Sequence, residues 1–174
     1  GRAREALNIT DVSPLHAAWV RKNSGEKVRD EIRLAKAFAK AQKCYGAESY
    51  IRGFSGYVLE VLVVHYGGFE KLLKNTLLWQ QKQIIDAGKL FGKKENVWMV
   101  LNEAKLASPL IVIDPVDKTR NAAAALSIDK WNLFKARAAV FLKKPSAAFF
   151  DRSEPTLSEL QKKTKEIVER KITA

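Results

Sequence analysis

Apolar residues recur along this chain with two periods, and the changes of period divide it into elements. Val28, Ile32, Ala35, Phe38 and Ala39 fall three or four apart within residues 26–44, the spacing of a helix that buries one face. Asn23-Ser24-Gly25 breaks the chain before it, and Gly46 is placed to be its C′ residue. Upstream, Ser13-Pro14 predicts a helix start with Ser13 as N-cap and Pro14 at the first helical position, running to about Lys22. Residues 57–66 are apolar on nearly every side; the Ser55 cap and the Gly67-Gly68 stop favour a central buried helix, although the β-branched content also suits a strand. A short helix follows over 69–79. Gln83–Asp86 and Leu110–Asp114 are brief extended runs, each closed by Asp. Between them 88–95 is a polar loop, and Val97, Val100, Leu101 and Ala104 give 96–106 helical spacing.

Asn121 can cap a helix over 122–126, and Ser127 a longer amphipathic helix that ends before Pro145. Glu154-Pro155 reads as a linker. Thr156-Leu-Ser-Glu159 is a capping box opening a charged helix to about Arg170. With only Leu157, Leu160, Ile167 and Val168 to pack, that helix is expected to dock on something outside the chain. The pattern predicts a mainly α domain with a small β element, followed by a docking helix.

Charge changes the picture of the second helix. Arg29, Arg33, Lys36, Lys40 and Lys43 lie within an arc of roughly 80° at about 100° per residue. Like charges at i, i+4 disfavour an isolated helix by a few tenths of a kcal/mol per pair, a cost that a polyanion offsets. The whole chain of 174 residues carries a formal charge of +12 and a pI near 9.8, the footprint of a nucleic-acid or other polyanion binder. No run reaches the ~18 apolar residues of a membrane span, no signal peptide is evident, and the single Cys44 excludes an internal disulfide. These features predict a soluble cytoplasmic protein.

Five segments in order resemble the region after the catalytic head of archaeal-type (class I) CCA-adding tRNA nucleotidyltransferases. They are Ser13-Pro-Leu-His16; Leu34-Ala-Lys36 through Tyr45-Gly-Ala47; Gly53-Phe-Ser-Gly-Tyr57 with Glu60-Val-Leu62; Asp114-Pro-Val-Asp-Lys-Thr-Arg-Asn121 running into alanines and Ser127; and Leu142-Lys-Lys-Pro-Ser-Ala-Ala-Phe-Phe150. The resemblance implies a multihelical nucleotidyltransferase substrate-binding domain, the neck, over 25–152. Residues 1–24 would trail the catalytic head, and 153–174 would form the linker and charged helix. The chain has no Gly-Ser followed by an Asp-x-Asp pair, so nucleotidyl transfer and its Mg²⁺ are expected on a separate head domain or head polypeptide. This chain is not expected to transfer nucleotides alone.

Carried over by motif, His16 matches a histidine near the incoming nucleotide, with Ser13 in place of the family's Thr. Lys36 and Tyr45 match the pair that holds the triphosphate of CTP or ATP. Arg120 matches the arginine that, together with the RNA backbone, helps select C or A, while Lys118 stands where the family has Pro. Arg29, Arg33, Lys40 and Lys43 would face the tRNA 3′ end. A cation supplies charge and a hydroxyl supplies orientation to a phosphate chain. In an unbroken helix, nine residues from Lys36 to Tyr45 span about 13 Å and end on opposite faces, so the helix must loosen before Tyr45.

Plainer readings stand beside these. A basic helix face is also a solvated surface, Tyr45 a helix-end aromatic, and His16 and His65 structural histidines. Glu60, in an apolar run, needs a cation such as Arg52. Asp114 and Asp117 sit in a Pro turn whose own hydrogen bonds satisfy them, with no metal implied. Gly53-Phe-Ser-Gly56 lacks the Gly-Lys-Ser/Thr ending of a phosphate-binding loop. As alternatives, the chain is a non-enzymatic basic RNA-binding module, or the equivalent domain of a poly(A) polymerase or oligoadenylate synthetase.

Overall fold

The computed structural model describes residues 9–93 and 95–151. The helix predicted over 156–170 lies outside them. Helices α1 (Ile9–Asn23), α2 (Glu26–Ala41), α3 (Gly56–Tyr66), α4 (Phe69–Leu78) and α7 (Ile128–Lys143) surround one core. A three-stranded sheet of β1 (Gln83–Ile85), β2 (Leu110–Asp114) and β3 (Asp117–Asn121) joins them; α5 (Val97–Val100) and α6 (Glu103–Leu106) lie in the crossover from β1 to β2. β1 and β2 are parallel, and β2 and β3 form an antiparallel hairpin.

The α2 face read from spacing is the buried one: Ile32, Ala35, Phe38 and Ala39. Phe38 is fully buried, with the rings of Phe69, Phe134, Phe141, Phe149 and Phe150 all within 6.4 Å of its centroid. The apolar run becomes α3, central as its pattern requires, with Val58, Leu59, Val61, Leu62 and Val63 buried. Ser55 Oγ accepts from the Val58 N–H, and Gly67 closes the helix in the left-handed region at φ 77°. β2 is buried on both faces. Leu110 and Val112 join the main core, whereas Ile111 and Ile113 pack with Val97 and Leu101 in a second cluster, the alternation a strand imposes.

Several boundaries differ from expectation. Ser13 is not an N-cap: α1 begins at Ile9 and Pro14 lies inside it. The helix over 96–106 is two single turns, because Asn96 and Asn102 each cap a new start, accepting from the N–H of Trp98 and of Lys105. Residues 122–125 form turns and not a helix. Asn121 ends a strand instead, and its side chain accepts from the Val112 and Ala123 N–H groups while donating to the Lys105 carbonyl.

The end of α2 matters most. It stops at Ala41, not at Cys44, and the left-handed residue that closes it is Lys43 at φ 57°, not Gly46. Cys44 N–H donates to Ala39 O at 2.8 Å and Lys43 N–H to Lys40 O at 3.1 Å, the paired bonds of a Schellman cap. Lys130 Nζ holds the Lys43 carbonyl at 2.6 Å. Lys43 therefore falls out of the helical arc that the spacing placed it in.

Candidate functional site

Two groups of side chains flank the first turn of α3, one beside Gly56 and one built on Tyr57. The N–H groups of a helix's first turn point outward without helical acceptors, and the dipole adds partial positive charge there.

Beside Gly56 stand Lys36 and Tyr45. A Cβ built on Gly56 would lie 2.8 Å from Tyr45 Oη and 3.6 Å from both Lys36 Cε and Nζ. The reversal at Lys43 brings them together, and a clamp maintains it. Phe54 N–H donates to Cys44 O at 2.7 Å, Gly46 N–H to Phe54 O at 2.8 Å and Gly53 N–H to Gly46 O at 2.6 Å, so that Tyr45 and Phe54 form a parallel bridge. Gly53 is required there: a Cβ would overlap the Cys44 carbonyl, 2.7 Å from its carbon. The expected loosening before Tyr45 is thus a full reversal of the chain. Lys36 Nζ also meets Glu60 Oε1 at 2.5 Å, with 28% and 24% of the two side chains exposed. Glu60 does need a cation, and its partner is Lys36, not Arg52. Lys40 Nζ sits 4.6 Å from the centroid of the Tyr45 ring, a cation–π contact.

On the other flank, Asp114 at the end of β2 is fully buried. His16 Nε2 lies 2.8 Å from its Oδ2; the Tyr57 hydroxyl and the Val116 N–H each donate to Oδ1 at 3.0 Å; Arg120 Nη1 is 3.7 Å from Oδ2. His16 also stacks on Tyr57 with ring centroids 3.9 Å apart. Burial pushes the Asp114 carboxyl up, but the His16, Val116 and Tyr57 hydrogen bonds outweigh it and hold the carboxyl below its usual range. Burial first, then the Asp114 charge, raises the Tyr57 phenol.

Of the predicted nucleotide residues, Lys36 and Tyr45 therefore meet at Gly56, while His16 and Arg120 meet at Asp114. Tyr57, adjacent to Gly56, joins the two groups. Of the predicted RNA-facing residues, Arg29, Arg33 and Lys43 are exposed and Lys40 is half-buried; Arg33 pairs with Asp30 one turn back. Asp114 has both oxygens committed, and Asp117 Oδ1 accepts from the backbone and hydroxyl of Thr119. Among the described residues no group of three His, Cys, Asp or Glu could hold a metal ion. No described helix is long and apolar enough to cross a membrane. Cys44 is buried, its thiol pushed up to about 11 by burial, which leaves it unreactive. His65 is exposed, its ring edge-on to that of Tyr66, and partial desolvation lowers its pKa.

Sequence reasoning missed Tyr57 as a site residue and Asp114 as more than a turn carboxylate. The available signal was their place in the Gly-Phe-Ser-Gly-Tyr and Asp-Pro-Val-Asp motifs.

Fold and site together define a mainly helical domain with a small sheet and two groups of polar side chains flanking a helix N-terminus. Residues 30–151 match the family described as "tRNA nucleotidyltransferase, second domain", and the chain belongs to that family. It is 44% identical over 134 residues to a CCA-adding enzyme of Nanoarchaeum equitans, covering 77% of this chain and 34% of that protein. A CCA-adding enzyme of Pyrococcus abyssi is 43% identical over 149 residues, with 84% of this chain and 33% of the relative covered. One of Archaeoglobus fulgidus is 36% identical over 172 residues, 97% of this chain and 36% of the relative. The chain spans about a third of the length of these curated relatives.

Proposed function

We propose that this chain is the substrate-holding domain of a CCA-adding tRNA nucleotidyltransferase, gripping the triphosphate of incoming CTP or ATP beside the tRNA 3′ end. The observation that carries this reading is the convergence of Lys36 Nζ and Tyr45 Oη over Gly56 at the N-terminus of α3. A cation, a hydroxyl and outward N–H groups around a residue with no side chain form a cradle for phosphate oxygens. Glu60 occupies the lysine in the meantime and yields it to a stronger anion. Arg120, a third exposed, offers its planar fork to the base. The exposed cations of α2 meet the RNA backbone. Nucleotidyl transfer itself, with its carboxylates and Mg²⁺, belongs on this reading to a catalytic head.

Mixing the chain with a separately made head from a relative tests it: CTP and ATP addition to tRNA lacking its CCA end should appear only in the mixture. Lys36→Ala in that mixture should raise KM or lower kcat by about tenfold or more. No activity with any relative's head, together with RNA binding that weakens steeply with salt and ignores CTP, would instead favour a non-enzymatic RNA-binding module. Five phosphate contacts would give a log–log salt slope of about −4.

A further inference from the structure

Asp114 is the only buried acid among the described residues. Its carboxylate would destabilise the fold if left unpaired, yet its two oxygens face different tasks. Oδ1 accepts from Tyr57 and from Val116 in its own turn, which is architecture. Oδ2 faces His16 at 2.8 Å and the Arg120 guanidinium at 3.7 Å. The first distance is a hydrogen bond, and it holds the His16 ring with Nε2 carrying its hydrogen. The second is too long for one, so Asp114 draws the guanidinium by charge without taking one of its N–H donors. Arg120 is left aimed, with its fork available to another acceptor.

We propose that Asp114 is the positioning residue for base discrimination: it touches no nucleotide, but fixes the direction in which Arg120 and His16 present themselves to the base. This rests on the proposed nucleotide site and deepens it. It separates two kinds of binding within one site, phosphate at Lys36 and Tyr45 and base selection through Asp114.

The test adds to the purified chain an acceptor-stem RNA lacking its CCA end, because Arg120 is expected to select the base together with the RNA backbone. It uses NMR titrations with inorganic tripolyphosphate, CTP and GTP and the ¹⁵N shifts of the histidine rings. In Asp114→Asn, tripolyphosphate affinity should stay within about twofold, CTP should weaken about tenfold, and the preference for CTP over GTP should vanish. The Nε2–H signature of His16 should be lost with it. Retained CTP preference overturns the proposal. So does equal weakening of CTP and tripolyphosphate, which would mark Asp114 as merely structural. Arg120→Lys keeps the charge towards Asp114 but loses the fork. It should abolish the CTP preference with tripolyphosphate binding unchanged, and an unchanged preference overturns the proposal even if Asp114→Asn does not fold. A wild-type chain that binds neither CTP nor tripolyphosphate overturns the parent reading, and this one with it.

Discussion

The two flanks of the α3 N-terminus hold their charges in opposite ways. On the Gly56 flank, Lys36 and Glu60 share a single ion pair with about a quarter of each side chain exposed, and both are long and rotatable. On the Tyr57 flank, one fully buried carboxylate gathers a histidine, a phenol and a backbone N–H within 3.0 Å. The first pair is mostly buried but keeps about a quarter of each side chain in water, so on the proposed reading a phosphate takes over Lys36 while Glu60 turns its carboxylate towards that water. The second network cannot lose a member without stranding a buried polar group. One flank is therefore suited to exchange its anion and the other to keep its geometry.

The largest break in this comparison should come from Gly53→Ala. The added methyl group collides with the Cys44 carbonyl, a backbone atom that cannot swing aside. The clamp that returns Tyr45 to Gly56 opens, and overpacking of this kind costs about 3 kcal/mol. Urea unfolding should show that loss, and tripolyphosphate binding should fall with it. A variant as stable as wild type would mean that the clamp is not what holds Tyr45.

An intermediate effect should come from Tyr57→Phe, which removes a hydrogen bond to an ionised acceptor worth about 1.5 kcal/mol at pH 7. The pH dependence has a definite sign. Asp114 is held below its usual range, so the stability it contributes is fully present above the ordinary carboxylate pKa of about 4, and is lost as pH falls through the folded value. The gap in unfolding free energy between wild type and Tyr57→Phe should therefore shrink as pH drops below about 4. A gap that stays constant to pH 2 would mean the phenol is not bonded to the charged form of Asp114.

The legibility of the two flanks differs for the same reason their chemistry does. α2, α4 and α7, and strands β1 and β2, were readable because each carries its own local apolar pattern, and α3 and α7 because each carries its own cap, Ser55 over Val58 and Ser127 over Lys130. β3 was not, since Asp-Lys-Thr-Arg-Asn has no apolar alternation and forms as a strand only by pairing with β2. The end of α2 was misplaced because its stop depends on distant groups, Phe54 at the bridge and Lys130 on the Lys43 carbonyl. The Asp114 network joins residues 16, 57, 114 and 120, and no local spacing links them. Motif resemblance located Lys36, Tyr45, His16 and Arg120; only the fold shows that they divide into two pairs.

The smallest effect on stability, and the sharpest on binding, is expected from Gly56→Ala. Here the added Cβ meets Tyr45 Oη at 2.8 Å and Lys36 Nζ at 3.6 Å, the far ends of side chains that can rotate away. Alanine is also the better helix former, by up to about 1 kcal/mol in a helix interior and less in a first turn. The two terms nearly cancel, so the unfolding free energy should change by less than about 0.5 kcal/mol. Tyr45 and Lys36 can no longer close over the helix N-terminus, and tripolyphosphate affinity should drop about tenfold. The Nε2–H signature of His16, which reports on Asp114, should not move. If that signature shifts as well, the two flanks are coupled through the first turn of α3, and exchange at one of them cannot be separated from rigidity at the other.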